Sequence, residues 1–360
     1  MKVNFFSEKN KAKKIAYNIN YKLKNILKTG LYTNSVYVKK FEDKFKKLFK
    51  TKYCIAVNNG TSALHLSLLA LGIKENDEVI VPSMTFIATA AAIEYVKAKP
   101  IFIDINETDW LINSKKLEKL ITKRTKAIIA VHLHGLMCDM DEIRKVARKH
   151  NIKVIEDSAQ AHGSKFKNKN PGYYSDAATF SFYPTKNLGA IGEGGAVITN
   201  SKKVYEKIKR MRTWSHNKSG FYEISFNYRM SEFTAISLLA KLKYLNNDVK
   251  RRLEIAKIYK NNLKSKTYST FDKKLKNHSY HIFAIRVKPE KRANLIKLLK
   301  LKGIQTNIHY PYSLSKLSVF KNYFKKFNTP ISNNISKELV SLPIYPELEN
   351  NKIIYVSNTI

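Results

Sequence analysis

A lysine stands in the part of this sequence that is best suited to covalent chemistry. Lys186 lies in a loop punctuated by Pro184 and Gly189, directly after an apolar run that ends at Phe182. A lysine amine attacks carbonyl carbons and forms Schiff bases, and a partly desolvated site keeps the amine nucleophilic near neutral pH. On position alone the opposite interpretation is favoured, because most lysines of a lysine-rich chain are solvated surface residues.

Two neighbouring carboxylates, Glu156 and Asp157, appear where another apolar run ends. If Asp157 faced a pyridine ring nitrogen, its negative charge would keep that nitrogen protonated, and the protonated ring would accept electrons as pyridoxal 5′-phosphate (PLP) chemistry requires. Asp157 is equally suited to capping the N-terminus of a helix. The residues alone leave both interpretations open.

The segment Gly60-Thr61-Ser62 lies between an apolar run and a helical pattern. Free backbone N–H groups and two hydroxyls at a helix N-terminus are suited to binding a phosphate. The simpler interpretation is that Thr61 or Ser62 caps the helix after a glycine turn.

The three segments described above lie within a regular alternation of strand and helix patterns. Short β-branched runs alternate with three- to four-residue apolar periodicity, which predicts an α/β domain with a largely parallel sheet covered on both faces. Catalytic groups are expected at the strand ends. The predicted strands are Tyr53–Val57, Glu78–Val81, Pro100–Asp104, Ala127–Val131, Lys153–Glu156, Ala178–Phe182 and Ala196–Thr199. The predicted helices between them are Ser62–Leu71, Thr85–Val96 and Met140–His150.

The last third of the chain has a different pattern. A long helical stretch from Ser231 to Leu263 is followed by a strand pattern at Tyr280–Val287, a helix at Pro289–Lys302 and a second strand at Gln305–Tyr310. We therefore expect a large α/β domain, with the N-terminal segment, over residues 1–245 and a small C-terminal α+β domain over residues 246–360.

Composition excludes several classes of protein. The formal net charge of +38 is typical of nucleic-acid-binding proteins, but the lysines are spread along the whole chain without an accompanying nucleic-acid-binding motif. Cys54 and Cys138 lack metal-ligand spacing, so no metal site is predicted. Neither a membrane-spanning run nor a secretory signal is evident, so we expect a cytoplasmic enzyme that binds neither nucleic acid nor membrane.

Five motifs, in order along the chain, resemble those of the DegT/StrS-type nucleotide-sugar aminotransferases, which are fold-type I PLP enzymes. The resemblance covers roughly residues 32–346. The motifs are Gly60-Thr61-Ser62-Ala63-Leu64, Val81-Pro82-Ser83-Met84-Thr85-Phe86, Glu156-Asp157-Ser158-Ala159-Gln160-Ala161-His162-Gly163, Ser181-Phe182-Tyr183-Pro184-Thr185-Lys186-Asn187-Leu188-Gly189 and Asn227-Tyr228-Arg229-Met230.

The resemblance implies a complete set of PLP-binding residues. Lys186 would form the Schiff base with the cofactor, and Asp157 would pair with the ring nitrogen. Thr61, Ser62 and Ser181 would bind the phosphate. Phe86 would stack on the ring, and Gln160 would contact the side of its phenolic oxygen.

The resemblance also implies a shared site and a substrate. Asn227 would reach the phosphate of the neighbouring subunit's cofactor, which implies an isologous homodimer with shared active sites. Arg229, His309 and Tyr183 would contact the substrate. For His309, an ordinary role at a strand end is an equal alternative.

The implied reaction moves an amino group from L-glutamate to a nucleotide-linked keto-sugar. Asn227-Tyr228-Arg229-Met230 is more similar to enzymes of 4-keto-6-deoxy sugars, such as perosamine synthases, whose products enter lipopolysaccharide and other surface glycans. Two alternatives stay open: a non-catalytic or regulatory family member, and an aminotransferase of a cyclitol ketone. The retained Lys186, Asp157 and Gln160 favour an enzyme over a regulator.

Overall fold

A computed structural model describes residues 1–33, 35–214, 216–217, 220–221, 223–263, 277–323 and 327–360. Its α-helices are α1 (Lys9–Thr29), α2 (Val36–Phe49), α3 (Gly60–Ala70), α4 (Ile87–Tyr95), α5 (Met140–Lys149), α6 (Lys202–Met211), α7 (Glu232–Leu242), α8 (Leu245–Leu263), α9 (Pro289–Leu301), α10 (Pro330–Glu338) and α11 (Asn350–Thr359). Its strands are β1 (Tyr53–Val57), β2 (Glu78–Pro82), β3 (Lys99–Ile103), β4 (Thr125–Val131), β5 (Lys153–Asp157), β6 (Ala177–Ser181), β7 (Gly195–Thr199), β8 (His216–Asn217), β9 (Gly220–Phe221), β10 (Phe283–Arg286) and β11 (Leu339–Leu342).

A seven-stranded sheet forms the centre of the molecule, with the strand order β1-β7-β6-β5-β4-β2-β3. Only β7 runs antiparallel to its neighbours, β1 and β6. Every residue of β2 and β7 is buried, as expected for strands covered by helices on both faces. The mostly parallel seven-stranded sheet predicted from the sequence is confirmed, and the bounds of each of its seven predicted strands lie within two residues of those observed.

Helix α2 has one apolar side that packs in the core and one lysine-rich side at the surface. Val38, Phe41, Phe45 and Phe49 are buried on one side of this helix. The ring centroids of Phe45 and Phe180 are 5.0 Å apart in an edge-on contact. Lysines occupy the other side of the helix, which confirms the interpretation of residues 41–50 as an amphipathic surface helix.

The prediction of one continuous helix from Ser231 to Leu263 is wrong. The chain forms α7 and α8, which are separated by a turn at Lys243 and Tyr244. The N–H of Tyr244 donates to the Lys241 carbonyl instead of continuing the α-helical ladder. No glycine or proline marks this break, so the apolar periodicity alone could not reveal it. The domain boundary at residue 245 stays a prediction.

The second strand of the small sheet was also predicted in the wrong place. β10 pairs antiparallel with β11, and the segment from Gln305 to Tyr310 contributes only an isolated bridge between Asn307 and Ser341. All four residues of β11 are buried, and this segment occupies the position beside β10. Residues 307, 309 and 310 instead line a cavity.

The first residues of the chain run alongside the segment that follows α9 and form an N-terminal strap, defined here as residues 2–6. Val3 is fully buried and forms a parallel bridge with Ile304. Its N–H donates to the Gly303 carbonyl at 2.9 Å, and its carbonyl accepts from the Gln305 N–H at 2.9 Å. A Cβ at Gly303 would lie 2.7 Å from the Met1 carbonyl oxygen, so glycine permits this close approach.

Within the described ranges, none of the helices has the length and apolarity needed to cross a bilayer. The same residues contain no group of three or more His, Cys, Asp or Glu side chains arranged to hold a metal ion.

Candidate active site

A cavity of about 720 Å³ opens where the parallel strands end. It brings together most of the residues singled out in the sequence: Thr61, Phe86, Asp157, Gln160, Ser181, Tyr183, Lys186 and His309. Ser62, Asn227 and Arg229 are not among its lining residues.

Asp157 is the last residue of β5 and faces this cavity. Its Oδ2 accepts a hydrogen bond from the Thr89 hydroxyl at 2.8 Å, and its Oδ1 accepts from the Ala159 N–H at 3.2 Å. Burial raises the pKa of Asp157, while these two donors and the charge of Lys186 oppose the rise. No helix begins after Asp157, so the alternative of a helix cap is wrong.

Glu156 points away from the cavity because successive side chains of a strand alternate between its two faces. Its carboxylate accepts hydrogen bonds from the Gly172 N–H at 2.8 Å and the Ser175 hydroxyl at 2.6 Å. It also lies 2.7 Å from His132 Nε2, where both side chains are fully buried. Because His132 Nδ1 accepts the Cys138 N–H, Nε2 carries the hydrogen that His132 donates to Glu156. Glu156 therefore supports the sheet, and Asp157 is the carboxylate available to a ligand.

A tightly folded loop between β6 and β7 holds Lys186. The Lys186 N–H donates to the Tyr183 carbonyl at 2.8 Å. A Cβ at Gly189 would lie only 2.1 Å from the Pro184 carbonyl oxygen, so the loop can double back only with glycine there. Asn187 Nδ2 donates to the Ser279 carbonyl at 2.9 Å and fastens the loop to the segment before β10.

The surroundings of the Lys186 amine lower its pKa, which favours nucleophilic attack. Burial lowers the pKa of Lys186 to about 8, and the negative charge of Asp157 opposes this effect. In the described part of the chain, no hydrogen bond or salt bridge engages its Nζ. A lysine of this kind has a much larger neutral fraction near physiological pH than an exposed lysine, and the neutral amine is the reactive form.

The N-terminus of α3 forms one end of the cavity. Asn59 caps this helix, since its Oδ1 accepts the Ser62 N–H at 2.8 Å, so the expectation that Thr61 or Ser62 is the cap is wrong. A Cβ at Gly60 would lie 2.8 Å from Ser181 Cβ, so glycine lets the helix start pack directly against Ser181. Thr61 lines the cavity, whereas Ser62 is only 5% exposed.

Gln160 is fixed in orientation by two hydrogen bonds. Its Oε1 accepts the His134 N–H at 2.6 Å, and its Nε2 donates to the Tyr310 hydroxyl at 2.8 Å. The Tyr310 ring lies 5.9 Å from the ring of Phe86, measured between centroids. Phe86 is 55% exposed and lines the cavity, so its ring is accessible to a bound ligand.

Two histidines line the cavity beside Lys186. His309 Nδ1 lies 2.9 Å from the Ser341 hydroxyl, and burial together with the charge of Lys186 lowers the pKa of His309 to about 4. Sequence reasoning missed His281, which is 7% exposed and whose pKa burial lowers well below its usual range. The alternating pattern of Tyr280–Val287 predicted a strand but gave no signal for a cavity residue there.

Asn227 and Arg229 lie outside the cavity. The Arg229 guanidinium donates to Asn227 Oδ1 at 2.9 Å, and the backbone of Arg229 bridges Val57 at the end of β1. This bridge places the pair near the start of α3. Asn227 is exposed and Arg229 is partly exposed, so a second molecule could contact both.

The donor set fits pyridoxal 5′-phosphate. The packing of Gly60 on Ser181 leaves a helix N-terminus and a hydroxyl available to a phosphate. Asp157 supplies a buried carboxylate, and Lys186 supplies an amine of lowered pKa in the same cavity.

Comparison with known proteins agrees with this geometry. The model of the DegT/DnrJ/EryC1/StrS aminotransferase family matches residues 13–360, and the chain belongs to this family. It is 41% identical over 338 residues to the dTDP-3-amino-3,6-dideoxy-alpha-D-galactopyranose transaminase of Aneurinibacillus thermoaerophilus. It is 38% identical over 337 residues to the GDP-perosamine synthase of Escherichia coli O157:H7. Each alignment covers 92% of this chain and 91% of the relative.

A solved structure shows the same architecture over nearly the whole chain. The DesV protein of S. venezuelae superposes with a TM-score of 0.95 at 31% identity, covering 99% of this chain and 97% of DesV. The expectation of a fold-type I PLP-dependent transferase is confirmed, and the chain is an aminotransferase.

Proposed function

We propose that this aminotransferase moves an amino group from L-glutamate to the ketone of a nucleotide-linked sugar, with PLP as cofactor. The observation that carries this proposal is the meeting of Lys186, Asp157 and the N-terminus of α3 in one cavity. A nucleophilic amine, a buried carboxylate and a phosphate cradle are the three elements that PLP chemistry needs from a protein.

Each cofactor-binding residue has a distinct task. Thr61, Ser181 and the N–H groups at the start of α3 would hold the phosphate, Phe86 would cover the ring, and Gln160 would contact the side of the phenolic oxygen. Ser62 and Asn227 remain further predicted phosphate contacts. Bound PLP supplies an aldehyde that exchanges the amino group and a ring that takes up electron density from the reacting carbon.

Lys186 and Asp157 carry the chemistry. The Lys186 amine would hold the cofactor covalently and, when free, would act as the general base and general acid that moves a proton during the transfer. Its pKa of about 8 lets it accept and give up this proton near neutral pH. Asp157, held by Thr89 and Ala159, would place a negative charge beside the ring nitrogen of a bound cofactor and so would favour the protonated ring.

For the sugar, we propose a 4-keto-6-deoxy substrate of the perosamine type. The similarity to the GDP-perosamine synthase supports this assignment, together with Asn227-Tyr228-Arg229-Met230. The relative from A. thermoaerophilus is named for a 3-amino sugar carried on dTDP, so the nucleotide and the aminated carbon are the points to be tested. The product would be made in the cytoplasm for surface glycans.

We further propose a homodimer with shared active sites. Asn227 lies at the surface near the start of α3, where it could reach the cofactor phosphate of a second subunit. Exposed apolar residues of the same large domain support such an interface. Tyr32 and Phe233 stack with ring centroids 6.0 Å apart while remaining 47% and 43% exposed.

The test is product analysis with a panel of nucleotide keto-sugars. The purified protein is incubated with L-glutamate and GDP-, UDP- or dTDP-linked 3-keto and 4-keto sugars, and the products are identified by mass spectrometry. We expect amination of a 4-keto-6-deoxy sugar, and none with Lys186→Ala. Amination of a cyclitol ketone with no turnover of any nucleotide sugar would overturn the proposal.

A further inference from the structure

The N-terminal strap contributes residues to the active-site cavity, although the strap is far in sequence from the motifs proposed to bind the cofactor. Phe5 and Phe6 line the same cavity as Lys186 and Asp157. The Phe5 ring stacks on the ring of His309, with centroids 5.8 Å apart and planes inclined by 23°. The Phe6 ring makes an edge contact with Tyr345 at 6.4 Å.

The strap is held in place on both sides of these rings. On one side, Val3 is hydrogen-bonded to Gly303 and Gln305, and the Phe5 N–H donates to Gln305 Oε1 at 3.0 Å. On the other side, the Asn10 N–H donates to Glu347 at 3.0 Å, and the Lys11 amine forms a buried ion pair with Asp248. The two phenylalanines are therefore a fixed wall of the cavity.

This wall is apolar. Phe5 packs against the hydrophobic cluster that contains Ile282, and Phe6 packs against the cluster that contains Ile344. Both isoleucines also line the cavity and are at most 4% exposed. An apolar wall of this kind stabilises a bound methyl group and leaves a bound hydroxyl without a hydrogen-bond partner.

Within one subunit, the described lining offers a carboxylate at carbon 6 of the sugar no cation other than Lys186. Lys186 is the one lysine or arginine among the described lining residues, and it is engaged in the chemistry. Asp157 and Glu193 already contribute two carboxylates to the lining. The pKa of His309 and that of His281 are both lowered by burial, so these histidines stay neutral near physiological pH.

We propose that the N-terminal strap determines specificity at carbon 6 of the sugar: Phe5 and Phe6, with Ile282 and Ile344, accept a methyl group there and disfavour a hydroxymethyl or a carboxylate. This inference rests on the proposed function and deepens it, because it assigns the preference for 6-deoxy sugars to particular side chains.

The experiment compares three substrates with the same nucleotide and the same keto position that carry CH₃, CH₂OH or COO⁻ at carbon 6. For the wild-type protein we expect kcat/KM to be about tenfold higher for the methyl than for the hydroxymethyl sugar. We expect a larger preference over the carboxylate, because a buried unpaired charge costs more than an unpaired hydroxyl.

Phe5→Ala should reduce the preference for methyl over hydroxymethyl to about threefold or less, mainly by raising KM for the 6-deoxy substrate. Phe5→Leu, which restores an apolar side chain, should recover most of the preference. Asn4→Ala is the matched control, because Asn4 is exposed on the same strap and does not line the cavity. Calorimetric titration with the 6-deoxy amino-sugar product should show the same order of affinities, and the absorbance of the lysine-bound cofactor verifies that each variant is assembled.

The outcomes separate this inference from the function on which it rests. An unchanged preference in Phe5→Ala, or a wild-type preference for the carboxylate sugar, would overturn the role of the strap while leaving the sugar aminotransferase intact. If none of the three sugars is aminated although L-glutamate still converts the bound cofactor, the proposed substrate class fails and this inference falls with it.

Discussion

The Thr89 hydroxyl donates a hydrogen bond to Asp157 Oδ2 at 2.8 Å, and it also lies 3.0 Å from the Thr85 hydroxyl. Thr89 is on α4 and Asp157 ends β5, so this contact joins the acid to a helix on the cavity wall. The hydrogen bond stabilises the charged form of a carboxylate whose pKa burial raises.

Thr89→Val should therefore slow catalysis without preventing cofactor binding. Loss of the hydroxyl raises the pKa of Asp157 further, so that the carboxylate is less able to keep the ring nitrogen of the cofactor protonated. We expect the single-turnover rate with L-glutamate to fall about tenfold, equivalent to one hydrogen bond to a charged group. Thr85→Val, which removes the more distant hydroxyl, is the matched control and should cost about threefold or less. Equal rates for Thr89→Val and the wild type would contradict this role.

The pH dependence of cofactor attachment reports on Lys186. Only the neutral amine attacks the PLP aldehyde, and burial lowers the pKa of Lys186 to about 8. The rate at which apoprotein gains the absorbance of the lysine-bound cofactor should rise with pH and level off above about 8. Since the charge of Asp157 raises the pKa of Lys186, Asp157→Asn should move the midpoint to lower pH. A midpoint near that of an exposed lysine would show that the amine is not desolvated.

Gly60→Ala tests the phosphate end of the cavity. The added Cβ would lie 2.8 Å from Ser181 Cβ and force the start of α3 and Ser181 apart. We expect the Kd of PLP for the apoprotein to rise about tenfold or more, as when one or two charge-assisted hydrogen bonds are lost. Pyridoxal, which lacks the phosphate, is the control ligand and should bind both proteins alike. If Gly60→Ala weakened the binding of PLP and of pyridoxal to the same extent, the defect would not lie in phosphate binding.

Arg252 holds in place the backbone beside His281 and at Ile344, two residues that line the cavity. Its guanidinium is buried, and Nη1 donates to the carbonyls of Tyr280 at 3.1 Å and Ile344 at 2.7 Å. Arg252→Met leaves these carbonyls unpaired and should lower the free energy of unfolding by about 3 kcal/mol. Lys250→Ala, at an exposed position on the same helix, should change it by about 0.5 kcal/mol or less. Denaturant unfolding measures both values, and similar effects of the two variants would contradict the role of Arg252.

The sheet was predictable because its strands are buried on both faces. Runs such as Ile55-Ala56-Val57 must be apolar throughout, and glycines and helix patterns separate one run from the next. Polar residues such as Asp157, at the end of a strand, and Lys186, in the loop after one, then fall at the same edge of the sheet by topology alone. The break between α7 and α8 escaped prediction because the apolar periodicity continues across Lys243 and Tyr244.

Cavity residues that come from distant segments were not predictable in this way. Thr89 lies within a helix pattern, and nothing in that pattern distinguishes a hydroxyl that faces Asp157 from one that faces the core. Phe5 stands in a short segment before α1, where its neighbours gave no sign that it would reach the active site. His281 belongs to a segment whose alternation indicated only a strand. In each case the position depends on tertiary packing, which local pattern does not encode.

The central claim is that the amine of Lys186 holds the cofactor, and chemical trapping tests it directly. Borohydride reduces the carbon–nitrogen double bond between PLP and its lysine to a stable single bond, and peptide mass spectrometry then locates the modified residue. In a chain with 66 lysine and arginine residues, we predict one modified peptide, containing Lys186, and no modification in Lys186→Ala. Stoichiometric modification of a different lysine, or of none, would contradict the account.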